Sequence, residues 1–306
     1  MKNQLVRLVL CLALCSLRTA LYSEEPLKIE RKFDLTVCAV FQNEAFYLKE
    51  WLEFHKLVGV QHFYLYNNLS SDNYLDILKP YIESGVVDLT DWPVQTYSEK
   101  DYLDNLQLPV YNHALNIAKE TSEWIAFIDL DEFLFPVIHS NLIEMLKNYE
   151  DYAALSVNWQ IYGTSQLDTL PEHCLIIESL IYKAETTYFR NMFIKMIVQP
   201  QFVKKINHPH YFEYLEGYYA IDSSRKPLPF KTCLQPVIID IVRINHYWSG
   251  PLDLFLHQKL PRRKLWGINF SEEMLAILMK TLNQTKDDTI LRFLPQLKEI
   301  FFNLHK

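Results

Sequence analysis

Residues 124–130 read WIAFIDL, and the chain then turns at once to Asp131, Glu132 and Phe133. A run so apolar, and shorter than the roughly 10–12 residues of a buried helix, marks a strand deep inside a sheet. Three less apolar runs of the same length precede it: 35–41 (LTVCAVF), 60–66 (VQHFYLY) and 86–92 (VVDLTDW). Helix-like segments separate them. Ala45, Leu48, Trp51, Leu52 and His55 share one helical face, with Asn43 placed to cap it and Gly59 to stop it. Further helices are expected over 74–84, ending at Gly85, and over 109–121. This βαβα alternation predicts an α/β fold with a mixed, mostly parallel sheet flanked by helices. In such sheets ligands bind beyond the carboxyl ends of the strands. Both the polar turn 67–73 (NNLSSDN) and the Asp129–Asp131 acids fall there.

The second half is less regular. Strands are expected at 153–162, 192–198 and 237–244, and helices at 251–260, 271–282 and 287–304, with Pro261 ending or kinking the first. Division by length allows two domains, and one large α/β domain fits as well. No linker separates them, so we divide the chain into a leader (1–23), a main domain (33–265) and a helical extension (266–306).

Composition removes several functions. The chain has 6 glycines in 306 residues, where average usage gives roughly 20. No two stand close enough for a Walker loop or a dinucleotide fingerprint. Any nucleotide phosphate must be held by other means. A net charge of −7 argues against nucleic acid as a partner. The 5 cysteines form neither a disulfide framework nor a zinc-site spacing.

The chemistry then concentrates in a few places. Asp129 and Asp131 project from one side of an extended segment and could share a divalent cation with diphosphate oxygens, or could be solvated strand-end acids. An aspartyl-phosphate phosphatase also uses Asp-x-Asp, but after its first core strand, and here the pair follows the fourth. His208 and His210 offer a His-x-His pair, against which Pro209 counts. His246 follows an apolar strand directly and could complete a metal shell or simply pack. Lys259, Arg262, Arg263 and Lys264 could neutralise a diphosphate leaving group or form a solvated basic surface.

Several segments together resemble glycosyltransferase family 92. They are Phe41–Glu44 with Glu50–His55, 59–64 (GVQHFY), 66–72 (YNNLSSD), 124–133 (WIAFIDLDEF), Asn158-Trp159, 162–165 (YGTS) and 244–249 (INHYWS). The resemblance covers about residues 33 to 265. It implies a GT-A fold, a nucleotide-sugar donor, typically a UDP-sugar, and a divalent metal, Mn²⁺ with Mg²⁺ as alternative. It further implies inverting transfer to a glycan or glycoconjugate hydroxyl, with galactose the candidate sugar. Carried over by position, Asn43, Glu44, Asn68, Asp72, Asp129, Lys259 and Arg262 would face the donor. Asp129, Asp131 and His246 would hold the metal, and Asn158, Trp159 and Gly163 would lie on the acceptor side. The base that deprotonates the acceptor is open among Glu213, Glu216, Glu132 and Asp253, with Glu213 preferred. Aromatics such as Trp159, Tyr211 and Tyr214 could stack on an acceptor sugar. A non-catalytic glycan- or nucleotide-sugar-binding protein on the same scaffold is the alternative.

Residues 1–23 carry no acids, and Lys2 and Arg7 precede the apolar run 8–17, which reads as a signal peptide or short signal anchor, an ordinary N-terminal helix being the alternative. Membrane association through it would place the site on the cytoplasmic face in a bacterium and in the Golgi lumen in a eukaryote, where nucleotide sugars occur. In the latter case Asn68, Asn269 and Asn283 stand in glycosylation sequons.

Overall fold

A computed structural model describes residues 30–228 and 232–302. The leader lies outside the described residues. No helix among them is long and apolar enough to cross a membrane. Thirteen strands occur in chain order: β1 (Phe33–Phe41), β2 (His62–Asn67), β3 (Val87–Asp91), β4 (Ser122–Phe127), β5 (Glu132–Pro136), β6 (Ala154–Ile161), β7 (Tyr182–Lys183), β8 (Ile194–Val198), β9 (Val203–His208), β10 (Tyr211–Tyr214), β11 (Ala220–Ile221), β12 (Val242–His246) and β13 (Thr285–Lys286). The principal helices are α1 (Ala45–Leu57), α2 (Tyr74–Glu83), α3 (Leu108–Thr121), α4 (Leu260–Leu265), α5 (Glu272–Leu282) and α6 (Leu294–Phe302).

Nine strands form one sheet in the order β3-β2-β1-β4-β8-β6-β12-β5, with β11 beside β6. The pairs β1–β2, β1–β4, β2–β3, β6–β12 and β6–β11 are parallel, whereas β8 runs antiparallel to β4 and β6, and β5 to β12. The mixed, mostly parallel sheet flanked by helices that the sequence predicts is the observed architecture. Its central strands are covered on both faces. Leu35, Val37, Ala39 and Phe41 of β1 point into one core with Trp51 and Leu52, while Cys38 and Val40 point into the other with Val110, Tyr111 and Ala114. Continuous apolar runs follow from that double burial.

One connection shapes the sheet. From Phe127 at the end of β4 to Glu132 at the start of β5 the chain has five residue steps, about 17 Å if fully extended. Yet β5 stands four strand spacings from β4, roughly 19 Å across a flat sheet. The link is not even extended, because the Glu132 N–H donates to the Asp129 carbonyl at 3.1 Å. The sheet must therefore curl, and the link carrying Asp129 and Asp131 crosses the mouth of the curl.

Helix α1 sends buried polar side chains to the backbone of its neighbours. The Trp51 indole donates to the Glu132 carbonyl at 2.8 Å. His55 gives its Nδ1 proton to the Trp51 carbonyl and accepts the Leu134 N–H at Nε2. Burial lowers its pKa to about 3, against the raising effect of the Trp51 carbonyl, so the ring stays neutral. Glu50 accepts the N–H groups of Ile176 and Ile177 at 2.7 and 3.0 Å. Burial still raises its pKa to about 7, those two bonds pulling the other way. Helix α1 thus ties β5 and the 176–179 turn to the sheet.

Two expectations change. The strand expected at 237–244 begins only at Val242, because the Ile238 N–H goes to the Asn158 side chain at 3.1 Å instead of a ladder. Pro261 neither ends nor kinks a helix after 260. It lies in the first turn of α4, directly after a π-helical stretch at Phe255–Lys259. Proline lacks an N–H and crowds the preceding turn, and a widened π turn relieves both problems.

The C-terminal segments close the far side. Strand β13 pairs with β7. Arg243 of β12, 3% exposed, holds Asp287 through two bonds of 2.7 and 3.0 Å. Burial raises the Asp287 carboxyl, but Arg243 outweighs it, and the pKa falls to about 2. Asp287→Asn should lower unfolding free energy by about 3 kcal/mol, the cost of leaving a buried charge unpaired, measured by urea denaturation at pH 7. A folded pKa below the unfolded value means the wild-type contribution is complete above about pH 4 and fades as pH drops toward 2. The two proteins should converge in stability in that window.

Candidate active site

The site is built around the link that crosses the curl. The Lys195 ammonium, 2% exposed on β8, donates to Asp129 Oδ2 at 2.9 Å and lies 3.4 Å from Glu132 Oε2. Gln107 approaches the other Asp129 oxygen at 3.5 Å. Asp131 lies between two partners. Lys259 donates to Oδ2, and His246 Nε2 stands 3.3 Å from Oδ1. Glu132 is fully buried, and its Oε2 accepts the Asp129 N–H at 3.0 Å. Just beyond, Arg262 lies 3.4 Å from Glu44. Trp159 forms the wall, its ring 4.6 Å from that of His246 and facing the Lys195 ammonium at 5.9 Å.

Four acids and three permanent cations share this small volume, and burial decides their protonation. Burial would raise the Asp131 carboxyl, but Lys259 and His246 hold it well below the usual carboxylate range. For Glu132, burial wins over Lys195, and Asp129 and Asp131 add to it, so this carboxyl is pushed well up and keeps its proton. Burial also raises Glu44 against the pull of Arg262 and Lys259. Lys195 would be lowered by burial, yet Asp129, which accepts its proton at 2.9 Å, holds it charged. The arrangement has ionised Asp131 enclosed between Lys259 and His246, and a fixed cation behind the more exposed Asp129.

Two π-helical stretches deliver polar side chains to the two aspartates. Tyr102–Gln107 ends at Gln107, and Phe255–Lys259 ends at Lys259. Each is followed by Leu-Pro, 108–109 in the first case and 260–261 in the second. The same local device, a π turn forced ahead of a proline, thus aims one residue at Asp129 and one at Asp131.

The structure brings Glu44, Asp129, Asp131, His246, Lys259, Arg262 and Trp159 together. Other residues assigned from sequence serve the scaffold. The Asn43 side-chain oxygen, on a backbone with φ 55°, accepts the N–H groups of Ser71 and Asp72. One Asp72 oxygen accepts the Ala45 N–H at the start of α1, and the other is buried without a partner. Asn68 donates to the carbonyls of Trp92 and Val94, and Asn158 to those of Asn191 and Met192. At Gly163 an added Cβ would lie 2.6 Å from the Asn283 amide, which itself accepts the Ser165 N–H. Packing therefore demands that glycine. Glu213 lies on the β9–β10 hairpin, bonded to Lys204 and Asn207. Asp253 pairs with His257 on an exposed turn. His208 and His210 do not face a common centre. His210 bonds the Ile194 carbonyl, and burial lowers its pKa to about 3. Among the described residues, no three His, Cys, Asp or Glu side chains are grouped to hold a metal ion.

Sequence reasoning missed Lys195 and Gln107. A signal existed for the first: it is the lone charge in an apolar strand, IKMIV. For the second there is no local signal, since Leu-Pro occurs also at 170–171 and 294–295 with no π-helical stretch before it.

A family model described as glycosyltransferase family 92 matches residues 33–288. The chain belongs to glycosyltransferase family 92. A family 92 protein of Ricinus communis is 24% identical over 82% of this chain and 42% of its own length. Another, from Arabidopsis thaliana, is 25% identical over 61% of this chain and 32% of its own. A galactan β-1,4-galactosyltransferase, GALS2 of A. thaliana, is 27% identical over 48% of this chain and 29% of its own. The chain spans less than half the length of these curated relatives. Among solved structures, S. aureus TarS in complex with UDP-GlcNAc matches 88% of this chain and 73% of its own with a TM-score of 0.40 and 12% identity, too loosely to bear on chemistry. Within the family 92 domain, Glu50, Trp51 and His55 of the family-like segment make the scaffold bonds of α1, and Asp131 and His246 meet at 3.3 Å beside the link that carries Asp129.

If Lys195 is the cation on which the Asp129 carboxylate and the buried Glu132 beside it depend, Lys195→Met should cost about 3–5 kcal/mol in urea denaturation. A loss below about 1 kcal/mol would mean that the acids do not depend on it.

Proposed function

We propose that this family 92 domain transfers a sugar, galactose as first candidate, from a UDP-sugar to a glycan hydroxyl. The observation that carries the reading is Asp131, ionised at the mouth of the curl between Lys259 and His246. Residues that offer both a carboxylate and movable cations suit a leaving diphosphate. Lys259 and Arg262, now paired with Asp131 and Glu44, would turn to the phosphate oxygens, where charge grows as the glycosidic bond breaks. The names of the relatives, among them galactan galactosyltransferases, support the sugar and the acceptor class.

A divalent metal fits part of the assigned set. Asp131 and His246 converge within 3.3 Å, and behind them His246 Nδ1 and Glu132 Oε1 stand 3.8 Å apart, both buried and neither hydrogen-bonded. Asp129 is committed to Lys195 and Gln107. Asp131 and His246 would therefore hold Mn²⁺ or Mg²⁺, which would neutralise the departing diphosphate. Trp159 walls off water on the acceptor side, and Glu44 keeps Arg262 oriented until the donor arrives. Glu132, uncharged and enclosed, is unsuited to take the acceptor's proton. Transfer with inversion is the course we propose.

The test is release of nucleoside diphosphate from a panel of UDP-sugars with Mn²⁺ and a galactan oligosaccharide. Wild type should turn over at least one donor and lose activity to a chelator. Asp131→Asn should fall by roughly 100-fold with unchanged circular dichroism, the loss typical of a group that stabilises transition-state charge. Equal rates for the two proteins would overturn the mechanism. Metal-dependent donor binding without turnover would indicate the non-catalytic binding protein instead.

A further inference from the structure

Beyond the acid cluster, a second concavity of 320 Å³ opens beside the β9–β10 hairpin, lined by Tyr211, Tyr214, Tyr218, Tyr219, Met196 and Leu228 among others. Its volume lies in the range of ligand pockets. Three features set it apart from incidental surface. Tyr218 and Tyr219 are 43% and 47% exposed, large rings that a folded chain gains nothing by presenting to water. Tyr218 is held flat against Phe202, ring centres 4.0 Å apart at 15°, which gives a rigid face and not a loose side chain. The Tyr214 hydroxyl is buried with no hydrogen-bond partner, an unmet need that costs stability in the free protein.

The pocket is connected to the acid cluster by rings in contact. His246 meets Trp159 at 4.6 Å, Trp159 meets His210 at 5.3 Å, His210 meets His208 at 5.3 Å, and His208 stacks on Tyr211 at 5.0 Å and 4°. Burial lowers the pKa of both His210 and His208, so the rings between Trp159 and Tyr211 are uncharged. A line of neutral aromatic faces with scattered hydrogen-bonding atoms matches an unbranched sugar chain, whose pyranose rings present C–H faces and equatorial hydroxyls. A lipid tail would leave the Tyr214 hydroxyl unmet.

We propose that this tyrosine pocket is a distal acceptor subsite, which holds a sugar several units from the reacting end of a neutral β-linked glycan chain. A sugar hydroxyl would satisfy Tyr214, and Tyr218 and Tyr219 would supply stacking faces. The proposal rests on the transferase reading for its purpose, but binding can be measured without turnover. β-1,4-Galactotetraose, cellotetraose and chitotetraose, with galactose as the monomer control, are titrated into the full chain without donor or metal, followed by saturation-transfer NMR and calorimetry. At least one tetraose should bind at least tenfold more tightly than the monomer, with the strongest transfer from the pocket tyrosines. Tyr218→Ala should weaken it at least tenfold. Tyr214→Phe, which removes only the unpaired hydroxyl and leaves packing intact, should weaken it several-fold without lowering the melting temperature. Tyr97→Ala, at a ring 75% exposed elsewhere, should change nothing. No tetraose binding to wild type, or binding that both pocket variants leave unaltered, would overturn the subsite. Failure of the transferase reading would appear separately, as absent diphosphate release from a protein that still binds the tetraose.

Discussion

Everything at the mouth of the curl depends on one electrostatic constraint: carboxyls taken out of water need cations beside them or must keep their protons. Lys195 meets most of it. Placed on β8, between β4 and β6, its ammonium lies under the crossing link and serves Asp129 and Glu132 together. With that charge fixed behind the link, Glu132 stays neutral, Asp129 is occupied, and Asp131 is the acid whose partners, Lys259 and His246, come from other segments. Lys259 and Arg262 come from a separate, later segment, so they can exchange carboxylate for phosphate without disturbing Lys195.

The curl of the sheet and the chemistry are one feature. A link too short to bridge a flat sheet forces β5 inward. Helix α1 then holds the inward position through Trp51 and His55, one bonded to the Glu132 carbonyl and the other to the Leu134 N–H. The acid cluster is therefore set by covalent length and by buried hydrogen bonds on both sides of it. A neutral His55 suits this role, since a charged ring could not accept the Leu134 proton.

The first half of this architecture is legible in the sequence because its strands are buried on both faces and its helices carry glycine stops. Gly59 and Gly85 do adopt positive φ, 109° and 71°, just past α1 and α2. Asp129, Asp131, His246, Lys259 and Arg262 could be found from strand-end acids, from the basic cluster and from family resemblance. Lys195 shows in the sequence as a lone charge in an apolar strand, but its partners do not, since β8 inserts antiparallel between β4 and β6, a long-range pairing that no local pattern announces. Asn43, Asn68, Asp72 and Asn158 carry bonds that no local pattern announces: most of them close the chain on itself, to partners distant in sequence. The proline at 261 misleads because its local rule assumes an α-helical neighbour, and the π turn before it changes that geometry.

The central claim is a division of labour: Lys195 is structural and permanent, Lys259 is functional and exchangeable. Buried lysine ammonium groups give resolvable ¹⁵N NMR signals, assignable through Lys195→Arg and Lys259→Arg variants. Titration with UDP and Mg²⁺ tests the division directly. The Lys259 signal should move as its partner changes from carboxylate to phosphate, while that of Lys195 stays in place. UDP binding that leaves Lys259 unmoved, or that shifts Lys195 as much, would contradict the account.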